Sequence, residues 1–475
     1  MKSTNDRWPN QNEAVQFALS HSSCMLDMDM GTGKTRVALD VAFERSDVHK
    51  ILVVCPKAVV GVWRENLIKF HDGENWVCWD DTKGTVATKQ ASLEEFFRVY
   101  VPEVTAMYND KPKQFAIINY DSVWRDPIGD YIYKKVGFDM VILDESHRAK
   151  AAGSKVSKYL AMLGKRVKYR MCLSGTPMAN SPLDVYGQYR FLDPTIFGTN
   201  HNLFLQRYAI MGGPDLKFIV GFKNQQDLKS KFDSIAYHCK MSDIADRLKL
   251  PETLPTSSIR VSLPSKDMKT MRELNREFVA ECGSGHVVVS NVLTKLLRLQ
   301  QITSGFCQTQ ESVFDAPMVQ DLNAVKENTL ADMLGDIGIS ESVVVFCIFR
   351  HDLEAISRAT RRAGRSYFEL SGSENSLGEW KEHDGAVIGV QIQAGAEGVD
   401  MTKANHAIYF SIPHSLAMYN QSKARLYRPG QKRPVTFVHL IAEDTIDEAL
   451  HKSLEKKQDV IGAIKSGTFD FGYMR

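Results

Sequence analysis

The chain lacks the long apolar runs that mark membrane and secreted proteins. None of its 475 residues belongs to a window approaching the roughly 18 uninterrupted apolar side chains that a bilayer-crossing helix needs. The opening residues, MKSTNDRWPN, also lack the apolar core of a secretory signal peptide. These absences predict a soluble, intracellular protein.

Clustered cysteines and a strong net charge are missing too. The eight cysteines are scattered, with no CxxC pair and no grouping with histidines. This pattern argues against a disulfide framework or a zinc site and for a reducing compartment. The formal net charge is only +2. Any contact with nucleic acid must therefore come from a local basic surface and not from overall attraction.

What the sequence does contain is a series of short apolar runs that alternate with amphipathic segments. Near-continuous apolar strands separated by helices are typical of doubly wound α/β domains with parallel sheets. A helix is also predicted over 35–43, where Val37, Ala38, Val41 and Ala42 fall on one face. The runs predicted as buried strands are 51–55 (ILVVC), 115–118 (FAII), 140–143 (MVIL), 343–347 (VVVFC), 386–390 (AVIGV) and 406–410 (HAIYF).

The alternation stops between residues 182 and 304, which we predict to be a mostly helical insertion with its clearest helix starting near Ser290. Pro251 and Pro255 bracket a predicted hinge, since proline ends helices and removes a backbone donor. We therefore predict two lobes. The first, 1–250, is an ATP-binding domain that includes the start of the insertion, and the second is 251–475.

The segment MGTGKT has the composition of a phosphate-binding loop between a short strand at 24–26 and a helix. Its glycines let backbone N–H groups turn towards the β-phosphate, and the helix N-terminus adds a favourable potential. Lys34 is expected to reach the β- and γ-phosphates, and the Thr35 hydroxyl to coordinate Mg²⁺. The strict GxxxxGK[ST] pattern would place a glycine at Met28, so the loop departs from it there. The predicted nucleotide-binding residues here are Met30, Gly31, Thr32, Gly33, Lys34 and Thr35.

The predicted strand 140–143 ends in DESH, residues 144–147, at the strand end where ligands bind in such sheets. We expect Asp144 to hold Mg²⁺ through water and Glu145 to orient and deprotonate the attacking water. The competing interpretation is an acidic pair in a surface loop. His147 either couples the γ-phosphate to the rest of the lobe or caps the following turn.

Two arginines, Arg425 and Arg428, are spaced so that a helix would present both on one face. A guanidinium stays charged and grips phosphate oxygens in a fork, which suits it to stabilise charge that develops on a transferred phosphoryl group. The alternative is a solvated basic face. The presence of a phosphate loop and of DESH in the other lobe favours the catalytic interpretation.

These motifs, in this order, resemble those of Swi/Snf-type ATPases of helicase superfamily two, motors that typically translocate on double-stranded DNA. The resemblance covers nearly the whole chain, and SGT and RxGQ separate it from DEAD-box RNA helicases. The segments that carry it are DMGTGKT (29–35), VVCPKAVVGVW (53–63), INYDSV (118–123), DESHRAK (144–150), LSGTPMAN (173–180), VVFCIFR (344–350), QAGAEGVDM (393–401), QSKARLYRPGQK (421–432) and DTIDEAL (444–450).

The resemblance implies two RecA-like lobes with the helical insertion between them, and further residues at the nucleotide. Gln11, in RWPNQ, would read adenine, although it is also consistent with an ordinary exposed glutamine. Gly398 and Asp400 would lie beside the phosphates in the cleft. Ser174 and Thr176 would link hydrolysis to movement between the lobes.

The resemblance also implies contacts with DNA phosphates, which do not read bases. Lys57, Ser122, Arg350 and Gln393 are the candidates, and each is also consistent with ordinary surface. Trp63 is expected to pack beneath its own segment and not to stack on a base.

The sequence therefore predicts a DNA-dependent ATPase that uses Mg-ATP to translocate on double-stranded DNA and to remodel or displace bound species. The alternatives are a strand-separating or annealing helicase, the motor of a restriction system, and a non-catalytic ATP-gated DNA clamp or scaffold. The compact chain resembles small bacterial or viral members of the family. This places it in the cytoplasm of a bacterium or infected host cell, or in the nucleus if it is eukaryotic.

Overall fold

All six apolar runs that were predicted as strands lie in parallel sheets of the computed structural model. The described residues are 7–81, 84–108, 111–178, 181–212, 218–248, 250–277, 279–282, 285–288, 292–309, 318–395 and 399–456. They divide between two units, Met1–Leu248 and Lys249–Arg475. The predicted hinge prolines, Pro251 and Pro255, follow this division closely.

The first unit is built on a seven-stranded sheet in the order β3-β4-β2-β5-β6-β1-β9, and every neighbouring pair is parallel. The remaining two strands, β7 and β8, form an antiparallel hairpin. The strands are β1 (Ser23–Met28), β2 (Lys50–Cys55), β3 (Trp76–Asp80), β4 (Lys113–Asn119), β5 (Met140–Asp144), β6 (Tyr169–Ser174), β7 (Ala209–Gly212), β8 (Phe218–Phe222) and β9 (Ala236–Cys239).

Helices connect these strands, as parallel pairing requires. The helices of this unit are α1 (Pro9–Ser20), α2 (Lys34–Glu44), α3 (Val60–His71), α4 (Val86–Glu95), α5 (Val101–Tyr108), α6 (Ile128–Tyr131), α7 (Lys155–Gly164), α8 (Val185–Leu192), α9 (Pro194–Phe197), α10 (His201–Tyr208), α11 (Gln225–Asp233) and α12 (Met241–Ile244). Short 3₁₀ turns cover Lys57–Val59, Ser146–Ala149 and Pro182–Asp184, and π-helical turns cover Phe96–Tyr100 and Ile132–Val136.

The second unit is built on a six-stranded parallel sheet in the order β10-β19-β18-β15-β17-β16. Two antiparallel hairpins, β11–β12 and β13–β14, accompany it. Its strands are β10 (Ser257–Val261), β11 (Val279–Cys282), β12 (Gly285–Val288), β13 (Phe306–Thr309), β14 (Met318–Asp321), β15 (Val343–Cys347), β16 (Tyr367–Leu370), β17 (Val387–Gln391), β18 (His406–Tyr409) and β19 (Thr436–Ala442). Its helices are α13 (Ser265–Glu277), α14 (Val292–Thr303), α15 (Val325–Asp336), α16 (Arg350–Arg362), α17 (Leu377–Glu382), α18 (Ile392–Gly395), α19 (Leu416–Leu426) and α20 (Ile446–Glu455).

Both faces of each sheet are buried, which explains why the strands read as continuous apolar runs. In β2, Ile51 and Val53 pack into one apolar cluster, and Leu52 and Val54 pack into another on the opposite face. In a parallel sheet covered by helices on both faces, successive strand residues face apolar surroundings on alternate sides, so the strands are mostly apolar. The α/β fold class with two parallel sheets is confirmed.

The segment 182–304 holds more strand than its sequence pattern indicated. Ala236–Cys239 pairs with β1 at the edge of the first sheet, and Ser257–Val261 pairs with β19 at the edge of the second. The helix expected from Ser290 begins at Val292, where the described part of that region starts. Within the described ranges, no helix combines the length and apolar character required to cross a membrane.

Candidate functional site

The loop between β1 and α2 owes its shape to two glycines. Gly31 has φ of +83° and Gly33 has φ of +93°, in the left-handed region that side chains other than glycine rarely adopt. A Cβ atom on Gly33 would lie only 2.1 Å from Nε2 of Gln11. Met28, where the strict pattern has glycine, is the last residue of β1 and is buried. The loop therefore needs no glycine at that position.

Lys34 begins α2, and its side chain turns back into the loop. Its Nζ donates to the carbonyl oxygens of Met28 (2.7 Å) and Asp29 (3.2 Å), and the side chain is buried. The Thr32 hydroxyl donates to the Asp29 carbonyl at 2.7 Å and closes the loop. Thr35 follows, half-buried, in the first turn of α2. A buried ammonium at a helix N-terminus is the arrangement expected for phosphate binding.

Gln11 lies against this loop and is buried, not exposed. Its Oε1 accepts a hydrogen bond from the backbone N–H of Trp8 (3.1 Å). The neighbouring Asn10 donates from Nδ2 to the Thr32 carbonyl at 3.2 Å. Arg7 forms an ion pair with Asp40 of α2 (2.6 Å). The RWPNQ segment is thus bound to the phosphate loop and its helix, and adenine recognition by Gln11 stays a prediction.

The strand order brings the phosphate loop close to DESH. Strand β6 lies between β1 and β5, so the carboxyl ends of these three neighbouring strands meet at one sheet edge. Asp144, the last residue of β5, accepts hydrogen bonds from Trp63 Nε1 on Oδ2 (2.8 Å) and from the Glu145 N–H on Oδ1 (3.0 Å). Burial, followed by the negative charge of Glu145, raises the pKa of Asp144 to about 6.

Glu145 has a backbone conformation that side chains seldom adopt. Its φ of +49° lies in the left-handed region, which costs a residue other than glycine on the order of 1–3 kcal/mol. Such strain clusters at functional positions, where surrounding contacts hold it. Glu145 is also buried, unlike a residue of an exposed surface loop, and its catalytic role stays a prediction.

The DESH turn is connected to the SGT segment that follows β6. His147 Nδ1 lies 3.3 Å from Glu145 Oε2 and 3.3 Å from Ser174 Oγ. The backbone N–H of Thr176 donates to the same Ser174 oxygen at 3.1 Å. The Thr176 hydroxyl oxygen is buried without a hydrogen-bond partner among the described residues. His147 thus lies within reach of both segments, and its coupling role stays a prediction.

Several residues at the site were not assigned these roles from the sequence. The Tyr120 hydroxyl donates to the main-chain oxygen of Asp144 (2.8 Å). Gln188 of α8 accepts from the Ser146 hydroxyl (2.7 Å) and donates to the Pro177 carbonyl (2.7 Å), so it bridges the DESH and SGT segments. Trp63 was expected only to pack. Its partner Asp144 is 81 positions away, so no local pattern could have revealed the bond.

In the second unit the two arginines do not share a helix, and the prediction that one helix presents both was wrong. α19 ends at Leu426, which leaves Arg425 buried in its last turn and Arg428 in the loop beyond. The chain leaves the helix at Tyr427, whose φ of −90° and ψ of 87° are not helical. Arg428 donates to the Val399 carbonyl at 3.2 Å.

Asp400 and Gln431 hold the loops around these arginines. Asp400 Oδ1 accepts from the N–H (2.9 Å) and hydroxyl (2.8 Å) of Thr402. Burial acts to raise the pKa of Asp400, but these bonds and the charge of Arg428 outweigh it and lower that pKa. Gln431 donates to the Ala404 carbonyl at 2.8 Å. Gly398 lies outside the described residues.

The four predicted DNA contacts have different surroundings. Lys57, Arg350 and Gln393 are exposed, and each follows the carboxyl end of a parallel strand. Ser122 is buried, and its hydroxyl accepts from Lys89 Nζ (3.2 Å), so its side chain presents little surface to a phosphate. Lys57, Arg350 and Gln393 stay predictions.

The donor set of the first unit fits a magnesium nucleotide. Mg²⁺ prefers oxygen ligands and is usually held by one or two carboxylates together with substrate phosphates. Asp144 and Thr35 supply such oxygens, and Lys34 supplies the charge for phosphate. Among the described residues, no three His, Cys, Asp or Glu side chains are grouped to hold a metal by themselves.

Comparison with known families and proteins gives a consistent result. The SNF2-related domain matches residues 8–305, and the helicase conserved C-terminal domain matches residues 325–430. The chain is 24% identical to the DNA annealing helicase and endonuclease ZRANB3 of Mus musculus, over 97% of this chain and 41% of that protein. It is also 24% identical to the p41 protein of Acyrthosiphon pisum secondary endosymbiont phage 1, over 95% of this chain and 96% of that protein.

The chain is also similar to a solved structure, the Sulfolobus solfataricus SWI2/SNF2 ATPase core in complex with dsDNA. The TM-score is 0.42 and the sequence identity is 19%, over 97% of this chain and 94% of that one. The chain spans about two fifths of the length of the ZRANB3 relatives. The matched SNF2-related domain alone covers more than half of the chain. The resemblance drawn from the sequence motifs is confirmed: the chain belongs to the SNF2-related family and has the domains of a helicase-like ATP hydrolase.

Proposed function

We propose that this protein is a DNA-stimulated ATPase that couples Mg-ATP hydrolysis to translocation on double-stranded DNA. The observation that carries the proposal is the convergence of Lys34, Asp144 and Glu145 at the carboxyl ends of neighbouring parallel strands. Ligands bind at this edge in open α/β sheets.

In this proposal the first unit binds the nucleotide. Lys34 neutralises the β- and γ-phosphates, and Thr35 and Asp144 hold Mg²⁺, which neutralises charge on the phosphates when it is bound. Glu145 accepts the proton of the attacking water. Gln11, beside Gly33, contacts the adenine, since its buried side chain is already bound at the loop.

The second unit supplies positive charge in the same proposal. Arg425 and Arg428 stabilise the charge that develops on the γ-phosphoryl group, a role worth roughly 10³ to 10⁵ in rate in other phosphoryl-transfer systems. Asp400 is proposed to lie beside the phosphates, and the same role for Gly398 stays a prediction. The charge of Arg428 acts on Asp400 and helps to lower its pKa, which is consistent with two predicted elements that act at one place in this unit.

DNA phosphates are proposed to contact Lys57, Arg350 and Gln393, whose side chains are exposed at carboxyl ends of strands. Phosphate contacts predict binding that is independent of sequence and weakened by salt. The ZRANB3 name, which specifies a DNA annealing helicase, supports DNA as the nucleic acid and makes annealing the second candidate activity. The strained, buried Glu145 argues against a non-catalytic clamp, which needs no water-activating carboxylate.

The test measures ATP hydrolysis with no nucleic acid, single-stranded DNA, duplex DNA and RNA. We expect duplex DNA to stimulate turnover most. Glu145→Gln should reduce the stimulated rate roughly 10² to 10⁴-fold by removing the base, and Lys34→Ala should abolish it. The control variants Lys158→Ala and Glu354→Gln alter exposed residues of the same types and should leave the stimulated rate unchanged.

The outcomes separate the candidates. Stimulation by single strands or RNA alone would favour an unwinding helicase, and no turnover on any of them would favour the clamp. A Glu145→Gln variant with the wild-type stimulated rate would contradict the catalytic assignment.

A further inference from the structure

Two buried aromatic side chains hold Asp144 from different directions. Trp63, which is 1% exposed, donates from Nε1 to the carboxylate Oδ2 at 2.8 Å. Tyr120, which is 5% exposed, donates from its hydroxyl to the main-chain oxygen at 2.8 Å. One bond fixes the carboxylate and the other fixes the backbone that carries it.

Trp63 lies close to the proposed DNA contact Lys57, and Tyr120 lies in a neighbouring segment at the same edge of the sheet. Trp63 is in the first turn of α3, directly after the 3₁₀ turn that begins with the exposed Lys57. Tyr120 follows the last residue of β4, in the INYDSV segment 118–123, where Ser122 is buried. Strands β4, β2 and β5 are neighbours in the sheet, so both segments and Asp144 lie at its carboxyl edge.

The bonds leave the Asp144 carboxylate little freedom to rotate. Oδ2 is bound by the indole of Trp63, and Oδ1 by the N–H of Glu145. Hydrogen bonds to a charged group are stronger than neutral ones, and their strength grows where water is excluded. Indole and phenol rings are rigid, so a small shift of either segment would move the donor and change the orientation of the carboxylate.

We propose that Trp63 and Tyr120 are positioning residues that orient Asp144 for the metal, and that Trp63 transmits DNA contact at Lys57 to it. The proposal rests on the proposed function, since it takes Mg-nucleotide at Asp144 and stimulation by DNA as given. It adds the physical connection by which duplex DNA raises the rate of hydrolysis.

The same unit provides matched controls. Trp79 of β3 is also a buried tryptophan, and its Nε1 donates to the Ser92 hydroxyl at 3.0 Å. Tyr159 donates from its hydroxyl to the main-chain oxygen of Gly129 at 2.8 Å. Each control bond has the same donor group as its counterpart, but neither bond reaches Asp144.

The experiment compares Trp63→Phe and Tyr120→Phe with Trp79→Phe and Tyr159→Phe in the full chain. Binding of a fluorescent ADP analogue is titrated with Mg²⁺, and ATP hydrolysis is measured with and without duplex DNA. Thermal unfolding and DNA affinity, by fluorescence anisotropy, are recorded for each variant. The binding titration reports on Asp144 without any need for turnover.

Trp63→Phe should raise the Mg²⁺ concentration for half-maximal nucleotide binding roughly threefold to thirtyfold, because a hydrogen bond to a charged carboxylate is lost. Tyr120→Phe removes a hydrogen bond to an uncharged carbonyl and should raise this Mg²⁺ concentration roughly twofold to tenfold. Both should lower the stimulation by DNA while DNA affinity stays within about twofold of wild type. The two control variants should match wild type in both readouts.

Wild-type Mg²⁺ dependence and stimulation in both Trp63→Phe and Tyr120→Phe would overturn the proposal. Equal losses in all four variants would also overturn it, because the aromatic residues would then act through stability alone. If Trp63→Phe fails to fold, Tyr120→Phe decides by the same criteria. A wild-type chain that DNA does not stimulate would refute the proposed function and the transmission step, and the Mg²⁺ titration would still decide whether Asp144 is oriented by these bonds.

Discussion

His439 of β19 is buried, with no hydrogen-bond partner for either ring nitrogen among the described residues. Its ring packs 4.8 Å from that of Tyr409 and 4.9 Å from that of His451. Burial, with the nearby positive charges of His451 and Lys423, lowers the pKa of His439 to about 3. The imidazole is therefore neutral in the folded protein throughout the physiological range.

The lowered pKa of His439 predicts a loss of stability in acid. Below its ordinary pKa of 6.5 the residue takes up a proton in the unfolded chain but not in the folded one. The free energy of unfolding should therefore fall as the pH drops from about 6.5 towards 3, by up to about 1.4 kcal/mol per unit. Urea unfolding at several pH values should show a flatter profile for His439→Phe than for the exposed control His383→Phe. Identical slopes would contradict the assignment.

At the scale of single residues, the sequence predicted the positions of residues that stand in short local motifs. Lys34 and Asp144 stand in short motifs that specify a loop or a strand end, and the structure places both at the predicted edge. Gln188 lies in no such motif, and Tyr120 lies in INYDSV. The motif does not predict the hydrogen bond of Tyr120, because the partners of both residues come from distant segments that only the folded sheet brings together. Ser122 illustrates the converse, since it was predicted as a surface contact but is buried, and its hydroxyl accepts a hydrogen bond from Lys89.

At the scale of elements, the tail motif DTIDEAL is part of the core of the second unit. Asp447 of α20 pairs with Lys326 of α15 at 2.6 Å, and both side chains are 1% exposed. The same carboxylate accepts from the Thr303 hydroxyl of α14 at 3.0 Å, and Lys326 Nζ also donates to the Phe410 carbonyl at 3.1 Å. One buried ion pair thus fastens three helices to the end of a strand.

Breaking this pair on one side should destabilise the second unit strongly. Lys326→Met leaves the Asp447 charge buried without its cation, which typically costs about 3–5 kcal/mol. The double variant Lys326→Met with Asp447→Asn should lose less, because no buried charge stays uncompensated. Chemical denaturation measures the free energy of unfolding of the single and the double variant. Arg260→Met is the control, because Arg260 is the exposed partner of Glu448, which lies on α20 like Asp447. It should lower the free energy of unfolding by no more than about 1 kcal/mol. A cost this small for Lys326→Met would show that the pair contributes little.

Elements were predictable where burial acts on both faces of a strand and less so at the sheet edges. The run 343–347 is apolar throughout, and it is β15 as predicted. The edge strand Ala236–Cys239 reads AYHC, too short and too mixed to signal a strand, and its pairing depends on β1 beside it. The end of α19 at Leu426 was missed although Pro429, which follows three residues later, is a helix-stop signal.

At the scale of the whole molecule, the predicted functions are divided between two units. The phosphate loop and DESH lie in Met1–Leu248, and the two arginines lie in Lys249–Arg475. Each unit has its own parallel sheet with apolar clusters on both faces, which is the property of a domain that folds independently. Nucleotide binding and hydrolysis should therefore be separable.

A fragment of residues 1–248 should unfold cooperatively and bind a Mg-nucleotide, because Lys34, Thr35 and Asp144 are all present in it. It should not hydrolyse ATP at the stimulated rate, since it lacks the arginines that we assign to the γ-phosphate. In the full chain, Arg425→Ala should lower the stimulated rate roughly 10³ to 10⁵-fold while nucleotide binding persists. Calorimetry and nucleotide titration test the first statement, and steady-state hydrolysis tests the second. DNA-stimulated turnover by the fragment alone would remove Arg425 and Arg428 from the chemistry and place the whole reaction in the first unit.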